Sequence, residues 1–525
     1  MITKTKIVGF QSGHDVSYCI LENGIPIIHE ELERMTRVKM GEGDGLKLFF
    51  QRSNDTDIQY FAFGNYGEGS GGKFAGDFND KISNDEMKKI IKKNHAKYYE
   101  FGHHLSHGAN AFYTSDFDKA LIIAVDGGGW EEGDVLSALT IDEGIGNKIN
   151  RIKIFDEEEV NIGKMYSIAT EYIFGLSVRE PKGSQEGTVM AMSTMGKPKY
   201  TDLFYHYRQR RLTAIADISE QEKFNVAASL QQYTEQTFYN CIAKYINESN
   251  HENICFSGGV SLNCVMLGKI KKWFPKIKNI FCDPIPYDAG LSLGAARYLW
   301  HHVLDNPRIK DGVKNKSPYL GKIYTKKDVE DAFNLFQNRV RLEKVYDEDV
   351  LNKIYQQKVV AVFGGGSESG RRALGNRSIL ADPRNPQMKN IINENVKHRQ
   401  WFRPLSPSIL EEKTNEWFED PLPSLYMSLA LKFKEDKKDK VPAVVHFDGT
   451  GRLQTVNKDL SPWFYGFLSK WEKLSGVPIL LNTSFNDNEP IVETPFDALT
   501  CFLKTQIDYL YFFDFGLLIK NKCMD

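Results

Sequence analysis

The stretch "HHLSHGANAFY" (103–113) sets three histidines within five positions. His103 and His107 are four apart, so on a helix they share one face, and His104 can turn the same way. Imidazole pairs at this spacing bind divalent metals, although packing alone accounts for many such clusters. Two carboxylates change the balance. "LIIAVDGGG" puts Asp126 at the end of a strand-like apolar run, and "PYDAGLSLGAA" puts Asp288 at another. A carboxylate at a buried strand end is costly without a partner. Two histidines and two aspartates form a mixed nitrogen–oxygen set, suited to iron, manganese or zinc rather than calcium.

Three glycine turns follow apolar runs: Gly127 and Gly128 in "DGGG", Gly258, Gly259 and Asn263 in "SGGVSLN", and "DAGLSLGAA". Glycine admits close backbone approach, and amides at a helix start attract phosphate. One such turn is commonplace. Three, each closing a strand, resemble the nucleotide cleft of the actin/sugar-kinase/heat-shock-ATPase fold. Further along, "GGGSESGRRALGNRS" gathers Ser367, Glu368, Arg371, Arg372 and Arg377, and "NVKHRQWFRP" adds Lys397, Arg399 and Arg403. "GTGRLQTV" supplies Arg452 and Gln454, and "NTSFN" supplies Asn482, Ser484 and Asn486. Cations and hydroxyls beside glycine turns suit an oxyanion pocket for a triphosphate or an acyl phosphate.

The elements that must hold these residues read as alternating strands and helices. "KIVGFQ" and "VSYCILENG" with "IPIIHEELERMTRVK" predict a β-hairpin turning at Asn23-Gly24. Strands end at "VDGGG", "NICFSGG" and "IFCDPIP", with helix over 221–249 and 263–273 between them. This is an α/β pattern with ligands at strand ends. Residues 305–345 are polar and turn-rich, which suits a boundary, and a second unit opens on "KVVAVFGGG". The predicted division is 1–340 and 341–525. Met190, Met192 and Met195 in "GSQEGTVMAMSTMGKP" read as core filler.

At 525 residues, two or more domains are expected. A hydrophobic share of 41% with 26% charged residues describes a globular chain. The net charge of -2 offers no basic field for a polynucleotide, so stable polynucleotide binding is not expected. No apolar run reaches the length of a membrane span, and "MITKTKIVGF" has no signal-peptide pattern. The seven cysteines are scattered without a C-x-x-C pair, so free thiols in a reducing, cytoplasmic setting are expected.

The ordered set "GHDVSYCILENG", "EELERMTRVK", "HHLSHGANAFYTSDF", "VDGGG", "SGGVSLN", "DAGLSLGAA", "SESGRRALGNRSILADPR", "NVKHRQWFRP", "GTGRLQTV" and "LLNTSFN" resembles the O-carbamoyltransferases from one end to the other. These are the enzymes of nodulation-factor and antibiotic biosynthesis, of the tobramycin and cephamycin type. The resemblance implies an N-terminal domain of the actin/sugar-kinase/heat-shock-ATPase type, similar to threonylcarbamoyl-transfer proteins. It implies a C-terminal α/β domain of the carbamoyl-adenylate-forming (YrdC-like) type. The implied reaction joins carbamoyl phosphate and ATP into carbamoyl adenylate in the C-terminal domain. The carbamoyl group then passes to a hydroxyl of a small-molecule acceptor in the N-terminal one.

By the same resemblance His103, His107, Asp126 and Asp288 would be ligands of a divalent metal, iron first with zinc or manganese as alternatives. His104 would be a neighbour. His14 would accept the acceptor's proton, and Lys39 would contact phosphate or the carbonyl. Arg371, Lys397, Arg403, Arg452, Asn482 and Ser484 would form the carbamoyl-adenylate and ATP pocket, with Mg2+ accompanying ATP. Gly127, Gly128, Gly258, Gly259 and Asn263 would hold a nucleotide in the N-terminal domain. A homodimer is compatible with the sequence. Two other readings are a hydroxylated nucleobase or nucleotide as acceptor, and a non-catalytic nucleotide-binding protein on the same fold.

Overall fold

A computed structural model of the chain describes residues 4–53, 55, 57–65, 96–180, 182–205, 218–309 and 311–522. Cys523 lies outside them. By compactness the chain divides into two units. Unit 1 comprises Met1–Val189, Lys197–Asn263 and Lys269–Ser317, and unit 2 comprises Met190–Gly196, Cys264–Gly268 and Pro318–Asp525. The second unit thus begins within the turn-rich stretch and also takes in two short segments from earlier in the chain.

Unit 1 is built on two five-stranded sheets. The first holds β1 (Lys6–Gln11), β2 (Ser17–Glu22), β3 (Ile25–Glu31), β4 (Tyr60–Phe63) and β5 (Lys97–Glu100). Their order is β3-β2-β1-β4-β5, with β1, β2 and β3 antiparallel and β1, β4 and β5 parallel. The second holds β6 (Lys119–Glu131), β7 (Val135–Ile145), β8 (Lys148–Asp156), β9 (Asn253–Ser257) and β10 (Asn279–Cys282), in the order β10-β9-β6-β7-β8. β6, β7 and β8 are again antiparallel, and β6, β9 and β10 parallel. The same topology therefore occurs twice, which is the duplicated core of the actin/sugar-kinase/heat-shock-ATPase fold. A parallel pair needs a long crossover, and the helix Glu220–Glu248, capped by Ser219, lies between β8 and β9.

Two helices lie between the sheets. His103–Thr114 packs on β6, Leu291–Tyr298 packs on β1, and each packs on the other. The first is buried over nearly its whole length because both faces meet protein. Its Ala109, Ala111 and Phe112 join Ile122 of β6 and Cys255 of β9 in one apolar cluster.

Unit 2 is a mixed α/β unit on a nine-stranded sheet. Its strands are β11 (Val340–Lys344), β12 (Val360–Phe363), β13 (Arg377–Ala381), β14 (Ser406–Leu410), β15 (Leu429–Lys432), β16 (Thr450–Val456), β17 (Ile479–Ser484), β18 (Tyr509–Phe512) and β19 (Leu517–Asn521). The order is β11-β19-β18-β12-β13-β17-β14-β16-β15. The helix Pro462–Ser475 lays Phe464, Phe467, Leu468 and Trp471 on Val360, Leu410, Val456 and Leu480. Trp471 is fully buried, and its Nε1 donates to the Ile479 carbonyl at 2.8 Å, which satisfies its indole donor.

Six cysteines, Cys19, Cys241, Cys255, Cys264, Cys282 and Cys501, are free thiols. Met190, Met192 and Met195 are only half-buried. Met190 and Met192 lie in the helix Glu186–Ser193 and Met195 in the turn after it, so they fill core only in part. Among the described residues no helix is long and apolar enough to cross a membrane.

Candidate functional site

The sequence periodicity of 103–113 does form a helix, and His103 and His107 stack one turn apart on it with ring centroids 4.7 Å apart. Asp126 sits in β6 where the register against β7 shifts between Val125 and Gly129. That irregularity turns the carboxylate out of the sheet. Its Oδ1 accepts from the Gly127 amide, and its Oδ2 accepts from the Gly259 amide at 2.7 Å. Gly258 makes this approach possible, with φ of 86° and no room for a Cβ against the Val125 carbonyl. Asp288 opens the turn into the Leu291–Tyr298 helix.

These elements bring the four side chains together. His107 Nε2 lies 3.1 Å from Asp126 Oδ2 and 3.5 Å from Asp288 Oδ1. His103 Nε2 lies 3.9 Å and 3.8 Å from the same two atoms. One prospective ligand atom from each residue falls within 4.8 Å of all the others. Burial disfavours the Asp126 charge, but the nearby His103 and His107 rings outweigh it and hold the carboxyl well below the usual range. Burial likewise opposes charge on His107, yet Asp126 and Asp288 push it up to about 9. The pocket therefore favours positive charge at its centre.

Both ring nitrogens of His103 and of His107 are buried and have no well-formed hydrogen bond. Orphaned imidazole nitrogens beside two ionised carboxylates fit a divalent transition metal better than an ordinary polar core. His104 points elsewhere. It is fully buried, 3.8 Å from Glu131, and burial drives it well below the usual histidine range.

His14 stands at the mouth of the group. Its Nε2 is 3.5 Å from Asp288 Oδ2, and its Nδ1 is 3.2 Å from Asp15 Oδ2. Asp288 first and Asp15 second raise its pKa to about 9. Lys39 follows the Leu32–Thr36 helix and packs its stem against Gly183. Gly127 and Gly128 directly follow Asp126, while Asn263 exchanges two amide hydrogen bonds with Gln231 at 3.0 and 2.9 Å.

Behind the group, Asp283 ties the His103–Thr114 helix to β9. Its Oδ1 accepts from Asn110 Nδ2 at 3.0 Å and from the Ile285 amide at 2.8 Å, and its Oδ2 accepts from Ser257 Oγ at 2.7 Å. Burial nevertheless raises this carboxyl to about 6. A carboxyl whose folded pKa exceeds its unfolded value of about 4 binds more protons when folded. Its contribution to stability is full below about pH 4 and is lost as pH rises to about 6, by roughly 3 kcal/mol. Asp283→Asn is expected to gain stability relative to the parent across that window and to keep a constant lead above it. Thermal midpoints of both proteins from pH 4 to pH 8 measure this, and a pH-independent difference would count against it.

In unit 2 the cations of the sequence split into two groups. Lys397 is buried and inserts its ammonium among the Ser484 carbonyl (2.8 Å), Ser484 Oγ (3.2 Å), the Asn486 carbonyl (2.7 Å) and Asn486 Oδ1. The second group consists of the half-buried Arg372, Arg399, Arg403 and Arg452. Burial, then Arg403 and Arg452, push Arg399 well below the usual arginine range. Burial and Arg372 lower Arg403 to about 10, and burial with Arg403 lowers Arg452. Guanidinium groups that depress one another make a surface that favours an anion.

Arg371 is half-buried in the loop before β13. Asn482 is buried in a polar ladder across β17, β14 and β16, donating to Ser408 Oγ at 3.1 Å and Gln454 Oε1 at 3.0 Å. Arg377 is also internal, with its guanidinium 3.5 Å from the Phe363 ring centroid and bonded to the Gly364 and Gly365 carbonyls. Arg372, Arg399 and Asn486 belong to the oxyanion set read from residue types, although the narrower pocket implied by the family resemblance leaves them out.

Comparison with known sequences adds the family. The profile of the carbamoyltransferase N-terminus matches residues 75–214 and 201–297, and that of the carbamoyltransferase C-terminus matches 351–518. Nodulation protein NolO of Bradyrhizobium diazoefficiens is 33% identical over 440 residues, covering 78% of this chain and 77% of its own length. Nodulation protein NolNO of Sinorhizobium fredii is 34% identical over 442 residues, covering 78% and 62%. An uncharacterised protein of Methanocaldococcus jannaschii is 30% identical over 541 residues, covering 96% and 98%. Among solved structures, full-length HypF in its phosphate- and nucleotide-bound form overlaps 57% of this chain and 56% of its own. That overlap has 15% identity and a TM-score of 0.34, too low to carry an argument. The chain belongs to the carbamoyltransferase family and is a transferase.

Proposed function

We propose that this carbamoyltransferase makes carbamoyl adenylate from carbamoyl phosphate, ATP and water in its C-terminal domain: water takes the phosphate from carbamoyl phosphate, and the carbamate oxygen so freed attacks the α-phosphorus of ATP and expels pyrophosphate. The carbamoyl group then passes to a hydroxyl of a small-molecule acceptor at the His103, His107, Asp126 and Asp288 group. The observation that carries the reading is the convergence of those four ligand atoms within 4.8 Å beside an imidazole, His14.

His103, His107, Asp126 and Asp288 would hold a divalent metal, iron by preference. Such an ion supplies Lewis-acid polarisation of the carbamoyl oxygen when bound. The chain's own residues account for the rest. The acceptor oxygen attacks the carbamoyl carbon, the bond to the adenylate oxygen breaks, and the acceptor's proton passes to His14 Nε2. Asp15 receives the Nδ1 hydrogen bond and keeps that ring turned towards the site. The main cause of the raised His14 pKa is Asp288, whose charge is offset wherever Asp288 ligates a cation. His14 then returns to the range in which a neutral imidazole takes a proton. In the C-terminal domain the Arg372, Arg399, Arg403 and Arg452 group suits the phosphates of ATP with Mg2+. Lys397 holds the Ser484–Asn486 turn in shape.

The test follows the two half-reactions separately. Pyrophosphate release from ATP should depend on carbamoyl phosphate, and mass spectrometry should find one carbamoyl group added to a member of a hydroxylated acceptor panel. His14→Ala is expected to leave pyrophosphate release within about twofold and to slow transfer by roughly 10²- to 10⁴-fold. Equal loss of both half-reactions in that variant would contradict the division of labour.

A further inference from the structure

Strand β6 does more than present Asp126. Five residues on it ends in Glu131, which is 2% exposed. Glu131 Oε1 accepts from the backbone amides of His104 and of Leu105, the latter at 3.2 Å, in the first turn of the His103–Thr114 helix. Glu131 Oε2 accepts from Arg151 Nη2 at 3.1 Å. Arg151, from β8, donates in turn through Nε to Asp142 of β7, whose other oxygen accepts from Thr140 Oγ1 at 3.3 Å.

The helix has no side-chain cap of its own, because its N-cap residue is Gly102. A Cβ at Gly102 would collide with the Glu131 carboxylate, and one at Gly129 would collide with the His103 ring. A helix start needs acceptors for its first amides and favours negative charge. A serine or aspartate at position 102 would meet that need locally. Here a buried carboxylate from a neighbouring strand meets it, neutralised by an arginine from a third. The result fixes how far along β6 the helix sits and how it is rotated, which a local cap would not do. The same strand thereby holds Asp126, the His103 ring and the helix end.

We propose that Glu131 is a positioning residue for the ion site, locking the His103–Thr114 helix against β6 so that His103 and His107 face Asp126. This rests on reading those residues with Asp288 as cation ligands. The probe is Co2+ alone, added to the full-length chain and followed by calorimetry and by its visible d–d absorption. Glu131→Ala is expected to retain helical content, to bind Co2+ roughly 10- to 100-fold more weakly and to show an altered d–d band. Glu131→Gln keeps an oxygen for the two amides and is expected to stay within about fivefold of the parent. Arg151→Met leaves the carboxylate in place and is expected to weaken binding in the same direction, by less. A folded Glu131→Ala with parental affinity and spectrum overturns the inference. If Glu131→Ala does not fold, parental Co2+ binding by Arg151→Met overturns it. Failure of the parent chain itself to bind Co2+ defeats the ligand reading and this inference with it, and is told apart from either variant result.

Discussion

Replacing His107 by alanine is expected to abolish carbamoyl transfer while leaving pyrophosphate release within about twofold. The imidazole is fully buried, and its Nε2 lies closer to both carboxylates than that of His103, 3.1 Å from Asp126 and 3.5 Å from Asp288. Its removal leaves two ionised carboxylates facing a void with one remaining histidine. The loss of a metal's transition-state stabilisation amounts to several kcal/mol, which corresponds to roughly 10³-fold or more in rate. Metal content and both half-reactions should be measured on one preparation. Retained transfer in a metal-free variant would sink the reading. Retained metal with lost transfer would point to orientation of the ligand set instead.

The second large effect is expected at Arg452. Its Nε is anchored on Ser406 Oγ at 3.0 Å, and its charge is crowded by Arg403. Such crowding destabilises the ligand-free protein and is relieved by an anion. Arg452→Ala should therefore slow pyrophosphate release by roughly 10²- to 10³-fold, the size expected for losing one charged donor at a developing oxyanion. The thermal midpoint of the ligand-free protein should hold or rise, since one of several mutually repelling charges is gone. Arg452→Lys should recover little activity, because an ammonium cannot reproduce the planar fork. A variant that loses stability and activity together would mark Arg452 as a structural residue.

Much of this was legible from residue types and spacing. Asn23 and Gly24 take the positive φ angles, 51° and 83°, that their hairpin turn requires. The separation of His103 and His107 placed both on one helix face, but the strand end expected at Asp126 is a register shift inside β6, which runs on to Glu131, and Asp288 opens a turn six residues beyond β10. Their meeting was not written in any local pattern. Asp126 and Asp288 approach only because the two sheets clamp a pair of helices between them, a matter of packing across more than a hundred residues. Asn482 shows the opposite error source, since a side chain within a motif can be spent inside the sheet. Glu131 carried no signal at all. An acid at a strand end resembles any solvated turn until the helix it caps is seen.

The second unit is assembled from three separate lengths of chain, 190–196, 264–268 and everything from 318 onward. Both short segments leave the ribosome long before the strands they will join. They must wait, unburied, while the rest is made. A single cut near residue 318 cannot yield two complete modules, and neither half is a cassette that recombination could move alone. On the proposed division of labour, activation and delivery of the carbamoyl group would be inherited together.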